Sequence, residues 1–251
     1  MRKPLVAGNW KMNLLVADGV RLVNELKPLV AGITGVDIVV CPTFTALQAV
    51  GEALKGSNVE LGGQNCYVKE SGAFTGEISP QMLKDVGCSW TIIGHSERRQ
   101  YFGESDALLN EKVKFALASG LKVMFCIGET LDERQGGKMN DVLARQVTQG
   151  LAGLTEANFD RMSVAYEPVW AIGTGVTATP EQAQEAHAFV RGLLKAQFGA
   201  AVADKVRIQY GGSVKADNAA ELMAKPDVDG ALVGGAALKA DGFAAIVKGA
   251  L

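Results

Sequence analysis

The chain has 251 residues, 48% of them apolar and 21% charged, with 25 Lys and Arg against 27 Asp and Glu for a formal charge of −2. That apolar content supports a sizeable core and excludes a disordered chain. The interspersed charges form no basic patch for nucleic acid or an anionic membrane surface, and no apolar run approaches the ~18 residues of a membrane span.

The first ten residues, Met1-Arg-Lys-Pro-Leu-Val-Ala-Gly-Asn-Trp10, carry two positive charges but no long apolar region after them. They read as a first strand rather than a signal peptide. From there one unit recurs: a short apolar run, a Gly-containing loop, then a segment of helical period. Strands are expected at Leu5–Asn9, Ile38–Cys41, Val59–Gly62, Trp90–Gly94, Val123–Ile127, Met162–Tyr166, Val206–Tyr210 and Gly230–Val233. Between them, Val16, Val20, Val23, Leu26 and Val30 are expected to share one helix face, and Leu109, Val113, Ala116 and Leu117 another. Ser79-Pro80 and Thr179-Pro180-Glu181-Gln182 read as helix starts, the latter a capping box with Pro at the first helical position.

The strands are near-continuously apolar, as in parallel strands covered on both faces. Eight strand–helix units over this length point to an α/β fold closed as a (β/α)8 TIM barrel, residues 1–251 forming one domain. On the pattern alone a doubly wound open sheet stays the alternative. No linker-like stretch breaks the chain. Cys41, Cys66, Cys88 and Cys126 include no C-x-x-C pair and are expected as buried reduced thiols, which fits a cytoplasmic protein. With two histidines in the chain, no metal site is expected.

In such a barrel the strand C-termini open on one face, which carries the chemistry. Strand one ends in Asn9-Trp10-Lys11, strand four in Gly94-His95-Ser96-Glu97 and strand six in Glu167; strands seven and eight end in Gly211-Gly212-Ser213 and Gly234-Gly235. Each residue alone has an ordinary reading: a solvated Glu, an exposed Lys, a core His, a tight turn. Their convergence on one face argues for an enzyme. Glu167 closes an apolar strand and precedes Pro168 and a loop with Gly173 and Gly175, which suits a general base beside a lid. His95 sits before a helix-like start, whose positive end disfavours imidazolium and leaves a neutral donor. Glu97 is expected either to complement that helix or to pair with Lys11. The two Gly-rich turns lie where such barrels bind phosphate through backbone amides, and neither contains Lys or Arg. His187, inside a helix, is assigned no role. These parts describe proton transfer beside the carbonyl of a small phosphorylated sugar through an enediolate, with no cofactor.

The motifs Asn9-Trp10-Lys11-Met12-Asn13, Gly94-His95-Ser96-Glu97-Arg98-Arg99, Tyr166-Glu167-Pro168-Val169-Trp170-Ala171-Ile172-Gly173-Thr174-Gly175, Tyr210-Gly211-Gly212-Ser213 and Leu232-Val233-Gly234-Gly235 resemble, in order and across essentially the whole chain, those of the triosephosphate isomerase family. The resemblance implies interconversion of dihydroxyacetone phosphate and D-glyceraldehyde 3-phosphate, a step of glycolysis and gluconeogenesis. It implies Glu167 as base, His95 as neutral electrophile, and Lys11 and Asn9 as stabilisers of the substrate oxygens. Glu97 would orient Lys11, and Ser96 would hold Glu167 in the open state. Backbone amides of Gly173, Ser213, Gly234 and Gly235 would take the phosphate. It also implies a homodimer. Gly72-Ala73-Phe74-Thr75-Gly76-Glu77 resembles the family's third loop, which inserts beside the partner's active site, and Gln64 and Asn65 match neighbouring interface positions. Two departures stand out. Ala237 replaces a common Ser, so Ala237→Ser is expected to tighten phosphate binding, and Val176 replaces a Lys of the lid's hinge. Two rivals remain: a Schiff-base aldolase, which strand six without a lysine disfavours, and a catalytically silent sugar-phosphate binding barrel.

Overall fold

The computed structural model describes residues 2–172 and 177–251. Eight parallel strands close a barrel in sequence order: β1 Leu5–Asn9, β2 Asp37–Cys41, β3 Val59–Gly63, β4 Trp90–Ile93, β5 Lys122–Ile127, β6 Met162–Tyr166, β7 Arg207–Tyr210 and β8 Gly230–Val233. Closure is the pairing of β1 with β8, Leu5 opposite Gly230 through Gly8 opposite Val233. The open-sheet alternative is thereby excluded. Strand β4 stops at Ile93 rather than Gly94, because Gly94 takes φ +81° and turns the chain out of the ladder.

Helices wrap the outside: α1 Val16–Val30, α2 Leu47–Leu54, α3 Pro80–Asp85, α4 Ser96–Phe102, α5 Asp106–Ala118, α6 Leu131–Gln135, α7 Met139–Gly150, α8 Pro180–Phe198, α9 Ala200–Lys205, α10 Ala219–Met223 and α11 Ala240–Lys248. The expected starts are present. Ser79 Oγ accepts the Met82 amide, and Thr179 and Gln182 make reciprocal side-chain-to-backbone bonds. On α5, Leu109, Val113, Ala116 and Leu117 are buried as expected. The α1 face differs from expectation. Gly19 and Leu22 are buried with Val23, Leu26 and Val30, whereas Val16 is exposed and Val20 only half-buried. A Cβ on Gly19 would come within 3.0 Å of Trp10 and 3.2 Å of Val50, so the helix docks through a glycine that a hydrophobic pattern does not register.

The strands alternate between two cores. Leu5, Ala7, Val39, Trp90, Ile92, Met124, Cys126, Ala165 and Leu232 fill the barrel. Val6, Ile38, Ile93, Val123, Phe125, Val164 and Ile208 face the helices. This period of two also places the site: Asn9 follows Leu5 and Ala7, and Glu167 follows Ser163 and Ala165, so both project onto the barrel's C-terminal opening.

Candidate active site

Glu167 is 1% exposed, and both of its carboxylate oxygens are held. His95 Nε2 lies 2.9 Å from Oε1, and the Ser96 backbone amide donates to Oε2 at 2.9 Å. The contact expected of Ser96 is thus made by its backbone. Burial pushes the Glu167 carboxyl up. The facing His95, the Ser96 amide and the Lys11 ammonium outweigh it and hold the group below its usual range, so the carboxylate is ionised. Its backbone is confined between two glycines. A Cβ on Gly128 would lie 1.8 Å from the Glu167 carbonyl oxygen, and one on Gly211 would lie 2.8 Å from Glu167 Cγ.

His95 caps α4, its Nδ1 accepting the Glu97 amide at 3.2 Å. In the neutral ring this fixes the proton on Nε2, the nitrogen facing Glu167. Burial pushes the imidazole pKa down, but the Glu167 carboxylate pushes it up and prevails. The expectation that the helix end disfavours imidazolium and leaves a neutral ring is opposed, in this arrangement, by the facing carboxylate. The carboxylate supplies the upward pull only while it faces the ring, and protonating Nδ1 breaks the bond to the Glu97 amide.

Lys11 pairs with Glu97, Nζ to Oε1 at 2.5 Å. Its backbone is left-handed at φ +52°, which is uncommon for a residue with a side chain. Two amide side chains hold it there. Asn9 Oδ1 accepts the Lys11 N–H at 3.0 Å, and Gln64 Nε2 donates to the Lys11 carbonyl at 2.8 Å and to the Cys41 carbonyl at 2.9 Å. With Oδ1 occupied, Asn9 keeps its NH2 for the cavity.

A cavity of about 710 Å³ joins these groups. Asn9, Lys11, His95 and Glu167 share it with Ser213, Gly234 and Gly235. Gly173, Gly175 and Val176 lie outside the described residues. Two lysines that the Gly-rich turns gave no reason to expect, Lys215 and Lys239, also border the cavity. A further unanticipated group is Glu129, whose buried Oε1 accepts from the Tyr166 hydroxyl at 3.0 Å, Trp170 Nε1 at 2.9 Å and Arg134 at 3.1 Å, bracketing Glu167 in sequence. Ala237 is fully buried, its methyl beside Gly8 of β1, and it is not among the residues lining this cavity.

Of the four positions expected at an interface, Phe74 and Thr75 are exposed on the loop after β3, and Phe74 packs on Tyr67 with ring centroids 4.8 Å apart. Gln64 is half-buried beneath Lys11. Asn65 is buried, its Oδ1 accepting from Lys112 Nζ at 2.9 Å. All four cysteines are free and buried.

The family model described as triosephosphate isomerase matches residues 4–250. A triosephosphate isomerase of Carboxydothermus hydrogenoformans is 56% identical over 251 residues, covering all of both chains. Those of Pelobacter propionicus and Clostridium novyi are each 56% identical over 248 residues, 99% of each chain. With its closed barrel and its polar residues gathered at the strand ends, this chain belongs to the triosephosphate isomerase family.

Proposed function

We propose that this chain is an isomerase that interconverts dihydroxyacetone phosphate and D-glyceraldehyde 3-phosphate by moving a proton between adjacent carbons through an enediolate. The observation that carries the reading is a 1% exposed carboxylate, Glu167, held by His95 Nε2 and the Ser96 amide in the same cavity as Lys11. Low pKa and burial normally oppose each other, and here donors of the site itself reconcile them. In the reading, Glu167 leaves His95 and the Ser96 amide to take the substrate proton, and each bond it gives up becomes available to the substrate.

His95 Nε2–H then faces a substrate oxygen. Lys11 and the NH2 of Asn9 stabilise the charge that develops there, each such donor contributing about 3 kcal/mol to barrier reduction. Glu97 keeps Lys11 in place, and the left-handed backbone at Lys11 aims its stem past Gly234. The phosphate is assigned to the amides at Ser213, Gly234 and Gly235, with Lys215 and Lys239 at the rim. The reaction belongs to glycolysis and gluconeogenesis. The eight-stranded closure supports reading residues 1–251 as one catalytic domain. The free thiols fit a cytoplasmic setting, and the exposed loop carrying Phe74 and Thr75 fits a homodimer.

The test is turnover of D-glyceraldehyde 3-phosphate by the protein and by Glu167→Asp. Shortening the side chain withdraws the carboxylate by about 1 Å, a displacement that can cost roughly a hundredfold. Fast turnover with that loss is expected. A folded protein with no turnover favours the silent binding barrel, and an undiminished variant removes Glu167 as the base.

A further inference from the structure

Strand β5 loses one neighbour before it reaches the site. Its ladder with β4 ends at Phe125 opposite Ile93, whereas its ladder with β6 continues to Ile127 opposite Tyr166. The cause is Gly94, which carries the chain away to place His95. In a parallel strand successive residues direct their N–H and C=O alternately to the two neighbours. Lys122 donates to the Ser89 carbonyl on the β4 side, and Ile127 accepts the Glu167 amide on the β6 side. By that parity Cys126 and Gly128 face the side where β4 has gone, and buried peptide groups left without partners are costly.

Two side chains take the missing strand's place. Arg99 Nη2, reaching from α4, donates to the Cys126 carbonyl at 3.1 Å, and its Nε donates to the Gly94 carbonyl at 2.9 Å. Gln146, on α7, pairs with both groups of Gly128: its Oε1 accepts the Gly128 amide at 2.8 Å, and its Nε2 donates to the Gly128 carbonyl at 3.1 Å. Gln146 is only 4% exposed. The peptide it fixes is the one against which the Glu167 carbonyl rests, closely enough that residue 128 has no room for a Cβ.

We infer that Gln146 is a positioning residue for Glu167: its amide stands in for the absent β4 strand, immobilises the Gly128 peptide, and so sets the place of the base's backbone. The inference rests on the isomerase reading above. Gln146 touches no substrate-facing atom of that scheme and lies outside the cavity that holds Lys11 and His95. Its removal should therefore act on proton transfer and leave phosphate recognition alone.

The experiment compares the parent protein with Gln146→Leu and Gln146→Glu, measuring kcat, KM and the primary isotope effect with substrate deuterated at the carbon that loses its proton. Gln146→Leu is expected to lower kcat 10- to 100-fold, the range expected when a base is displaced by a fraction of an ångström to 1 Å. KM should stay within twofold, and the isotope effect should rise as proton abstraction becomes slower than release. Gln146→Glu keeps the acceptor and loses the donor while ionised. Its activity relative to the parent should rise as the pH falls and the buried carboxyl regains a proton. A folded Gln146→Leu with kcat within twofold of the parent overturns the inference. So does a lower kcat with the parental isotope effect, which signals only fewer active molecules. If Gln146→Leu does not fold, a Gln146→Glu activity ratio that stays flat with pH overturns it instead. A parent without turnover removes the isomerase reading itself, whereas an active parent beside unaffected variants removes this inference alone.

Discussion

His187 is fully buried on α8, its Nδ1 3.1 Å from the Asp227 carbonyl and its ring edge-on to Tyr166 at 5.7 Å. Burial is the largest influence on it. The Asp227 carbonyl opposes that, the nearby Arg191 adds to it, and the imidazole is held down at about 4. An unfolded imidazole titrates near 6.5, so between those values the unfolded chain binds a proton that the native one refuses. Stability from this group is full above pH 6.5 and falls with the pH, levelling off below 4. The loss should reach about 2 kcal/mol at pH 5. His95 has the opposite sign, since its pKa is raised while Glu167 faces it. Urea midpoints at pH 7 and pH 5 for the parent and His187→Gln cancel that contribution. The parent is expected to lose more stability than the variant on acidification, and equal losses would dismiss His187 as the source. The sequence placed this residue in a helix and gave it no role, because nothing local signals that a helical histidine will be sealed against a carbonyl 40 residues away. Glu167, Asn9 and Lys11 were legible for the converse reason: each sits at or just beyond the C-terminal end of an apolar run, the end that opens on the functional face of such a barrel. Gln146, Arg99 and Glu129 were not, since their partners lie on other elements, and no spacing encodes such a meeting.

At the scale of elements, apolar runs located β1, β6 and β8 to the residue, since both faces of these strands are buried. Conformation decided the remaining boundaries: Gly94 continues the composition of β4 but not its backbone. Helix starts were the most legible feature, being made by contiguous residues. At α8 the Thr179 hydroxyl accepts the Gln182 amide at 3.2 Å while Gln182 Oε1 accepts the Thr179 amide at 2.9 Å. Thr179→Ala removes the first bond and loosens the second, which typically costs about 1 kcal/mol. For a chain of this size that corresponds to a fall of roughly 2–4 °C in Tm. Because Thr179 also ends the segment that follows residue 176, KM for the phosphorylated substrate is worth measuring on the same sample. Differential scanning calorimetry checks the stability effect, and an unchanged Tm would show the cap to be dispensable in this barrel. The α1 face shows where pattern reading ends. The helix meets Trp10 and Val50 through Gly19, a close approach that requires the absence of a side chain.

For the whole molecule, the unexplained feature is an apolar surface on one side of the barrel mouth. Met12 and Leu15 are 94% and 78% exposed after β1, Phe44 is exposed after β2, Phe74 after β3, and Tyr101 and Phe102 are 70% and 67% exposed at the end of α4 after β4. Since β1 to β4 are neighbours in the closed barrel, their loops occupy one continuous sector. Scattered apolar residues need no explanation, whereas several in one sector are what a second copy of this chain would cover in the proposed homodimer. The same loops carry Lys11, His95 and Glu97, so a second copy covering this sector would also brace the proposed donors against the substrate. Phe102→Glu tests this with little risk to the fold, because the ring is exposed and stacks on Arg98, 4.7 Å from the guanidinium carbon. Sedimentation velocity at micromolar concentration should find the parent dimeric and the variant shifted towards monomer, with kcat falling in step with the monomer fraction. A variant that stays dimeric moves the interface elsewhere. One that becomes monomeric at full kcat would show that each barrel holds Lys11 in its left-handed backbone unaided, through Asn9 and Gln64 alone.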